Sequence, residues 1–225
     1  MPNGAIYGYT YTVMDLIDTA TFKETSGSNE VLLQEYDYNI LASGNTTMTV
    51  TQNFDDTNTA VTTTTYDWAG RQIRLDQADG NYTANTYNEN GTLASSTDAR
   101  GNTTYNSYDG LNRLTGTWTP VGTSTYSYSS NSYDKNGRVI QVAQSKNTVA
   151  NGTIPTTNLV TVSYTYDGNG NITQELSSSG AKTTYEYDDD GNLQDKYVYY
   201  DASNATRESY TYNSMGQLDT KKTYV

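Results

Sequence analysis

The sequence predicts an all-β fold, an antiparallel meander of repeated β-hairpins forming one curved, open sheet. Three observations predict it. A five-residue frame, Tyr followed by Asp or Asn, two variable residues and Gly, returns along the 225-residue chain. Between its copies lie stretches rich in Thr, Tyr and Val, the residue types that fit a pleated, half-buried surface. Further turn signals, at Asp79-Gly80-Asn81, Asp98 to Asn102 and Ser178-Ser179-Gly180, fall midway between frames and send the chain back on itself.

The frame begins at Tyr66, Tyr87, Tyr133, Tyr166, Tyr187 and Tyr212, each with Gly four residues on. A seventh copy, Tyr108-Asp109-Gly110-Leu111-Asn112, has Asn in the Gly position. The tyrosines are 21, 21, 25, 33, 21 and 25 residues apart, and a period of this length marks a repeat architecture. Each 21-residue unit holds two strands and two turns, one hairpin per repeat.

What varies inside the frame selects its turn. A two-residue type I′ turn needs positive φ at both central positions, yet Ala69, Leu111 and Met215 stand just before the Gly position and resist that region. A type I turn followed by one left-handed bulge residue fits better. Asp or Asn at its first position bonds the backbone two residues on, and Gly, or Asn112 as the best substitute, takes the left-handed slot.

Taken in order, the chain is least regular over residues 1–60, a divergent β region of degenerate repeats or a cap. Tyr7, Tyr9 and Tyr11 alternate with small or hydroxyl residues as a strand does, Met14 to Asp18 is too short to assign, and Gly27-Ser28-Asn29 is a loop. Glu30 to Tyr38 and Thr46 to Phe54 read as strands, and Phe54-Asp55-Asp56-Thr57-Asn58 reads either as a decayed frame or as an ordinary hairpin loop. Residues 61–225 form an array of about seven repeats. Val160, Val162, Tyr164 and Tyr166 share one face, with Thr161, Ser163 and Thr165 on the other. Tyr105 and Tyr108 break that parity, which predicts a bulge or shifted register there. The interval from Tyr133 to Tyr166 carries an insertion near Ser145 to Pro155, and Tyr197 to Tyr200 forms an aromatic strand.

Composition narrows the chemistry. Hydrophobic residues make up 34%, and Tyr supplies 23 of the aromatic side chains against two Phe and two Trp. Mean hydropathy is −0.77. This is a sheet with wet faces, in which Tyr rings stacked from unit to unit replace much of an aliphatic core. A net charge of −12 repels phosphate backbones and anionic lipid, so neither nucleic acid nor a membrane surface is an expected partner. No segment has the length and apolarity of a transmembrane helix. The chain has no Cys and no His, which removes thiol catalysis, zinc-thiolate sites and the commonest general base. Met1-Pro2-Asn3-Gly4 lacks a signal-peptide pattern, so an export signal is expected outside these residues.

Three motifs invite chemical readings. Asp188-Asp189-Asp190-Gly191-Asn192 resembles a calcium loop but lacks the alternating ligands and closing Glu of an EF-hand; a solvated turn is the plainer reading, and no metal or cofactor is expected. Carboxylate pairs such as Glu186 with Asp188, or Glu24 with Glu30, have no feature that sets one apart as a raised-pKa acid. Lys146 and Lys182 have no supporting motif for activating a Ser or Thr nucleophile. A non-enzymatic chain is therefore expected. Trp118, Tyr197, Tyr199 and Tyr200 are candidate glycan-stacking residues, the alternative being cross-strand packing within the sheet. Arg71, Arg113 and Arg138 follow the turn and are placed to stack on, or bond to, a neighbouring repeat.

With the turn frame, the Arg or Asn and aliphatic residue that follow it (Gly137-Arg138-Val139, Gly170-Asn171-Ile172, Gly191-Asn192-Leu193) and the Gly-Asn-Thr-Thr-Tyr stretch at Gly101 to Tyr105, the chain resembles the YD-repeat, or RHS-repeat, family. The resemblance covers roughly Val61 to Val225. It implies a segment of the hollow β-shell that large secreted or surface-exposed bacterial proteins wind from such repeats, enclosing or presenting a toxin or effector domain. Its partners would be flanking parts of a longer polypeptide or the enclosed toxin domain. The Asp-Pro-x-Gly motif that closes such shells is missing from the sequence. The alternative function is a carbohydrate-binding or adhesion module using the Tyr face, with a glycan as partner. An open sheet also has edges, and bare edges pair, so either capped ends or edge-mediated self-association is expected.

Overall fold

The computed structural model describes residues 6–23, 31–54 and 58–224, and every regular element among them is a β-strand. The chain divides into two compact units, Met1–Thr104 and Tyr105–Val225. In the first, strands β1 (Ile6–Tyr11), β2 (Ile17–Lys23), β3 (Val31–Ile40), β4 (Thr46–Asn53), β5 (Thr59–Tyr66), β6 (Gln72–Asp76), β7 (Tyr82–Tyr87) and β8 (Leu93–Thr97) follow one another, each antiparallel to the next. The unit boundary falls within β9 (Thr103–Tyr108).

In the second unit the chain runs on from β9 through β10 (Leu114–Gly122), β11 (Thr125–Tyr133), β12 (Val139–Ser145), β13 (Leu159–Tyr166), β14 (Ile172–Ser177), β15 (Lys182–Tyr187), β16 (Leu193–Tyr199), β17 (Ala205–Tyr212) and β18 (Leu218–Tyr224). Each strand again pairs antiparallel with its neighbour in the chain. The hairpin meander expected from the sequence is the fold. Asp55 to Thr57, Gly27 to Asn29, Glu24, Glu30 and Met1 to Gly4 lie outside the described residues.

The frame builds the turn that its variable positions select. At Asp167 the Gly170 amide donates to the Asp167 carbonyl at 3.3 Å and the Asp167 amide donates to the Asn171 carbonyl at 3.0 Å. The Asp167 carboxylate accepts from the amides of Asn169 and Asn171 at 2.9 and 2.8 Å, so a single side chain satisfies two loop donors. Gly170 has φ of 96°, and Asn112 takes the same slot at 62°. Directly before the turn the strand register slips, at Tyr66, Tyr87, Tyr133, Tyr166, Tyr187 and Tyr212. The slip facing Tyr108, between Leu114 and Gly116, is that same bulge, the shifted register predicted there from the parity of Tyr105 and Tyr108.

Little is fully enclosed. Among the described residues only Ala20, Thr64, Ser95, Gly116, Trp118, Tyr128, Ala143 and Asp195 are buried, and no large side chain is below 2% exposure. Three of them gather around the insertion. The chain between β12 and β13 runs back so that Val149 bridges to Tyr126 and the Thr153 carbonyl accepts the Trp118 indole N–H at 2.9 Å. Trp118 packs on Tyr128 with ring centroids 5.0 Å apart. A Cβ on Gly116 would meet the Ser107 hydroxyl at 2.7 Å and the Tyr128 ring at 3.2 Å, so the absent side chain is what lets β10 lie under that ring.

Gly170→Ala isolates the backbone term, because a Cβ there meets nothing within 4 Å while φ stays positive. A loss of about 1–2 kcal/mol is expected for forcing an L side chain into this region. It should appear as a lower urea midpoint at unchanged slope.

Candidate functional site

The polar side chains of the frame are spent between repeats. Successive frame tyrosines stand two strands apart, about 9.6 Å at the usual strand spacing, which exceeds the 7 Å or so over which rings attract. The ring-on-ring pile expected from the sequence is therefore corrected to a ladder with an inserted rung. Arg113, at the head of β10, lies between Tyr108 and Tyr133; its guanidinium carbon sits 4.6 Å from the Tyr133 ring centroid. Arg138, between Tyr133 and Tyr166, lies 4.6 Å from the Tyr166 centroid. In the first unit Arg71 lies 4.5 Å from that of Tyr87.

Each rung is anchored at its root. Nε of Arg71, Arg113 and Arg138 donates to the carboxylate of Asp67, Asp109 and Asp134 at 2.8, 2.7 and 2.7 Å, four residues earlier. Their Asp partners thus hold the turn with one oxygen and the guanidinium with the other. Arg113 and Arg138 then donate through Nη1 to the carbonyls of Asp134 and Asp167, at 3.1 and 3.3 Å in the following turn. The tyrosine returns the bond: its hydroxyl donates to the preceding repeat's carbonyl two residues beyond the bulge position. The pairs are Tyr87 to Gln72, Tyr133 to Leu114, Tyr166 to Val139, Tyr187 to Ile172 and Tyr212 to Leu193, at 3.1, 2.8, 2.6, 2.9 and 3.0 Å.

The same rule exposes a copy that sequence reading missed. Between β1 and β2 the Asp15 amide donates to the Thr12 carbonyl and the Thr12 amide to the Leu16 carbonyl, at 3.0 and 2.7 Å. Asp15 is left-handed with φ of 64°, and the Tyr38 hydroxyl donates to the Ile17 carbonyl at 3.2 Å. Thr12 does the work of the frame Asp, its hydroxyl accepting from the amides of Met14 and Leu16 at 3.3 Å each.

The four candidate glycan-stacking residues do not converge. Trp118 is 6% exposed beneath the insertion, and six strand spacings separate β10 from β16. That physical cover removes it from a common platform with the tyrosines. On and beyond β16, the Lys182 ammonium lies 4.3 Å from the Tyr199 centroid and the Arg207 guanidinium carbon 5.8 Å from that of Tyr197. Tyr200 is 68% exposed. Arg207 also grips the buried Asp195 with two bonds of 2.7 Å, a pair with no local signature because its partners lie on different strands.

Several Asp carboxylates are held in their ionised form by hydrogen-bond donors. The Arg71 side chain bonded to Asp67 holds that carboxyl below the ordinary Asp range, as Arg113 does for Asp109 and Arg207 for Asp195. Asn192, through its side-chain and backbone N–H groups, lowers Asp188, so Asp188 is not placed to donate a proton beside Glu186. Among the described residues no helix is long and apolar enough to cross a membrane, and no group of three or more acidic side chains is arranged to hold a metal.

This geometry can be compared with known proteins. The RHS Repeat family model matches residues 87–124 and 166–199. Those two segments match RHS repeats. The TcdB2-TccC3-Cdc42 crystal structure shares its architecture at a TM-score of 0.55 and 12% identity, over 99% of this chain and 14% of that one. The Tc holotoxin pore of Photorhabdus luminescens matches at 15% identity over 97% of this chain and 18% of that one. Its TM-score is 0.22, too low to argue from. This chain thus spans only 14% and 18% of the length of those two solved chains. No curated protein sequence matches significantly.

A double-mutant cycle on Arg138→Ala and Tyr166→Phe should show each single change lowering stability, Tyr166→Phe by about 1 kcal/mol for its lost hydrogen bond. A Tyr166→Leu cycle with Arg138→Ala should reveal a coupling of about 0.5–1 kcal/mol from the ring face, read from urea midpoints.

Acid should open the carboxylate-held turns first. Their Asp groups are depressed in the folded state, so the stabilisation is present at neutral pH and is lost as pH falls below about 5 through the folded value. The Arg71 amide, held by the Asp67 carboxylate at 2.9 Å, should lose hydrogen-exchange protection with acid. The Gln217 amide, held by the neutral Asn213 amide oxygen at 3.0 Å, should respond less.

Proposed function

We propose that this chain is a non-enzymatic wall segment of a longer, secreted or cell-surface bacterial polypeptide, whose RHS repeats enclose or present a toxin or effector domain. The observation that carries the reading is where the polar chemistry goes. Asp, Arg and Tyr of the frame are committed to joining one repeat to the next, which is what a wall requires. Two wet faces fit a sheet with solvent or cargo on both sides. Residues 1–60 are, on this reading, divergent members of the same array, as the turn at Thr12 to Asp15 suggests. The partners are flanking polypeptide and an enclosed domain, and the fold shared with the TcdB2-TccC3-Cdc42 structure favours that setting.

Limited proteolysis of the full-length polypeptide tests it. A domain downstream of the repeats should resist trypsin in the intact protein and be digested quickly when expressed alone. Equal digestion rates would overturn enclosure. Saturable binding of a soluble glycan, lost on Tyr199→Ala or Tyr200→Ala, would instead favour the adhesion reading.

A further inference from the structure

Two rungs of the ladder are missing in the second unit. After the turns at Tyr166 and Tyr187 the position that is Arg71, Arg113 and Arg138 in three other frames is Asn171 and Asn192. Both are short. Each amide reaches its own Asp, Asn171 at 2.9 Å to Asp167 and Asn192 at 3.1 Å to Asp188, and goes no further. At the second of these steps the space stays open as a groove of about 540 Å³, lined by Asp188, Asp190, Asn192, Tyr210, Tyr212 and Asn213 among others.

The groove can be compared, group by group, with what Arg138 touches one repeat type away. Arg138 bonds the Asp134 carboxylate, covers the Tyr166 ring and donates to the Asp167 carbonyl. The counterparts by frame position are Asp188, Tyr212 and Asn213, and all three line the groove. Asp190 adds a carboxylate paired with no cationic side chain among the described residues, at a turn position that is Asn136 in the Arg138 repeat. Thus the aromatic face, the anionic anchor and the carbonyl of a guanidinium site are present, while the chain's own guanidinium is not.

We infer that this groove binds a guanidinium group supplied from outside the repeat, an arginine side chain of a partner polypeptide that completes the ladder at the Asn192 step. The chemistry is the chain's own: at three other steps it places a guanidinium on the carboxylate and the ring, and at two of them on the carbonyl as well. A planar fork that bonds a carboxylate while lying on a ring favours arginine over lysine, and the net charge of −12 draws cationic segments in. The inference goes beyond the wall reading and stands whether or not the sheet encloses anything.

An NMR titration of the whole chain tests it, with the capped peptide Gly-Arg-Gly as probe and the isosteric, neutral citrulline peptide as control. Saturable shifts are expected at the Tyr212 and Asn213 amides, with the arginine peptide binding roughly fivefold or more tighter than the citrulline one. Asn192→Arg fills the groove from within and should abolish binding, and Asp190→Asn, in a solvated turn, should weaken it without disturbing the fold. Free agmatine binding as tightly as the peptide would assign the site to a small guanidinium compound and overturn the polypeptide source. Equal binding of arginine and citrulline peptides, or undiminished binding to a folded Asn192→Arg variant, would overturn the site itself.

Discussion

A hairpin repeat places equivalent side chains on every second strand, and that distance is too great for them to touch. Everything particular about this chain answers that constraint. Backbone pairing joins neighbouring strands but is indifferent to which repeats they belong to, so specificity between repeats must come from a side chain that spans the gap. Arg is long enough, flat enough to lie on the next ring, and always charged. It needs a fixed root, and the frame Asp provides one while already holding the turn. Tyr is needed in place of Phe because its hydroxyl reaches back to a carbonyl. The frame therefore couples local and long-range structure in one motif: the residues that close a turn also set the joint to the next hairpin.

How much of this was legible in the sequence varied with how local the cause was. The turn could be derived in full, because Ala69, Leu111 and Met215 exclude one geometry and Asn112 supports the other. The strands between frames followed from composition and parity. Strand β2 did not, since Asp18 to Lys23 has no clear alternation and its burial depends on partners elsewhere. The copy at Tyr11 escaped notice because Thr12 and Asp15 stand in for Asp and Gly, substitutions that preserve hydrogen bonding while erasing the pattern. The roles of Arg71, Arg113 and Arg138 were visible as a direction, but the ladder needed the strand spacing to explain why rings alone would not suffice.

Trp118 shows the opposite limit. An aromatic residue in a Tyr-rich, polar chain looks like a binding surface when read from sequence. Here the insertion that lengthens one interval to 33 residues returns to cover it, and the indole N–H is satisfied by a carbonyl of that loop. One of the few enclosed spots among the described residues thus arises from an irregularity in the repeat and not from the repeat itself. Asp195 is similar: a buried carboxylate whose partner, Arg207, is defined only once two strands are side by side.

Because each joint is made by groups at fixed places in the frame, any copy with Arg can accept any copy with Tyr as its successor. Duplication or loss of a hairpin leaves matching ends on either side of the event. An array of this kind can change length by whole units with no compensating change elsewhere, which gives gene-level expansion and contraction a mechanically tolerant product.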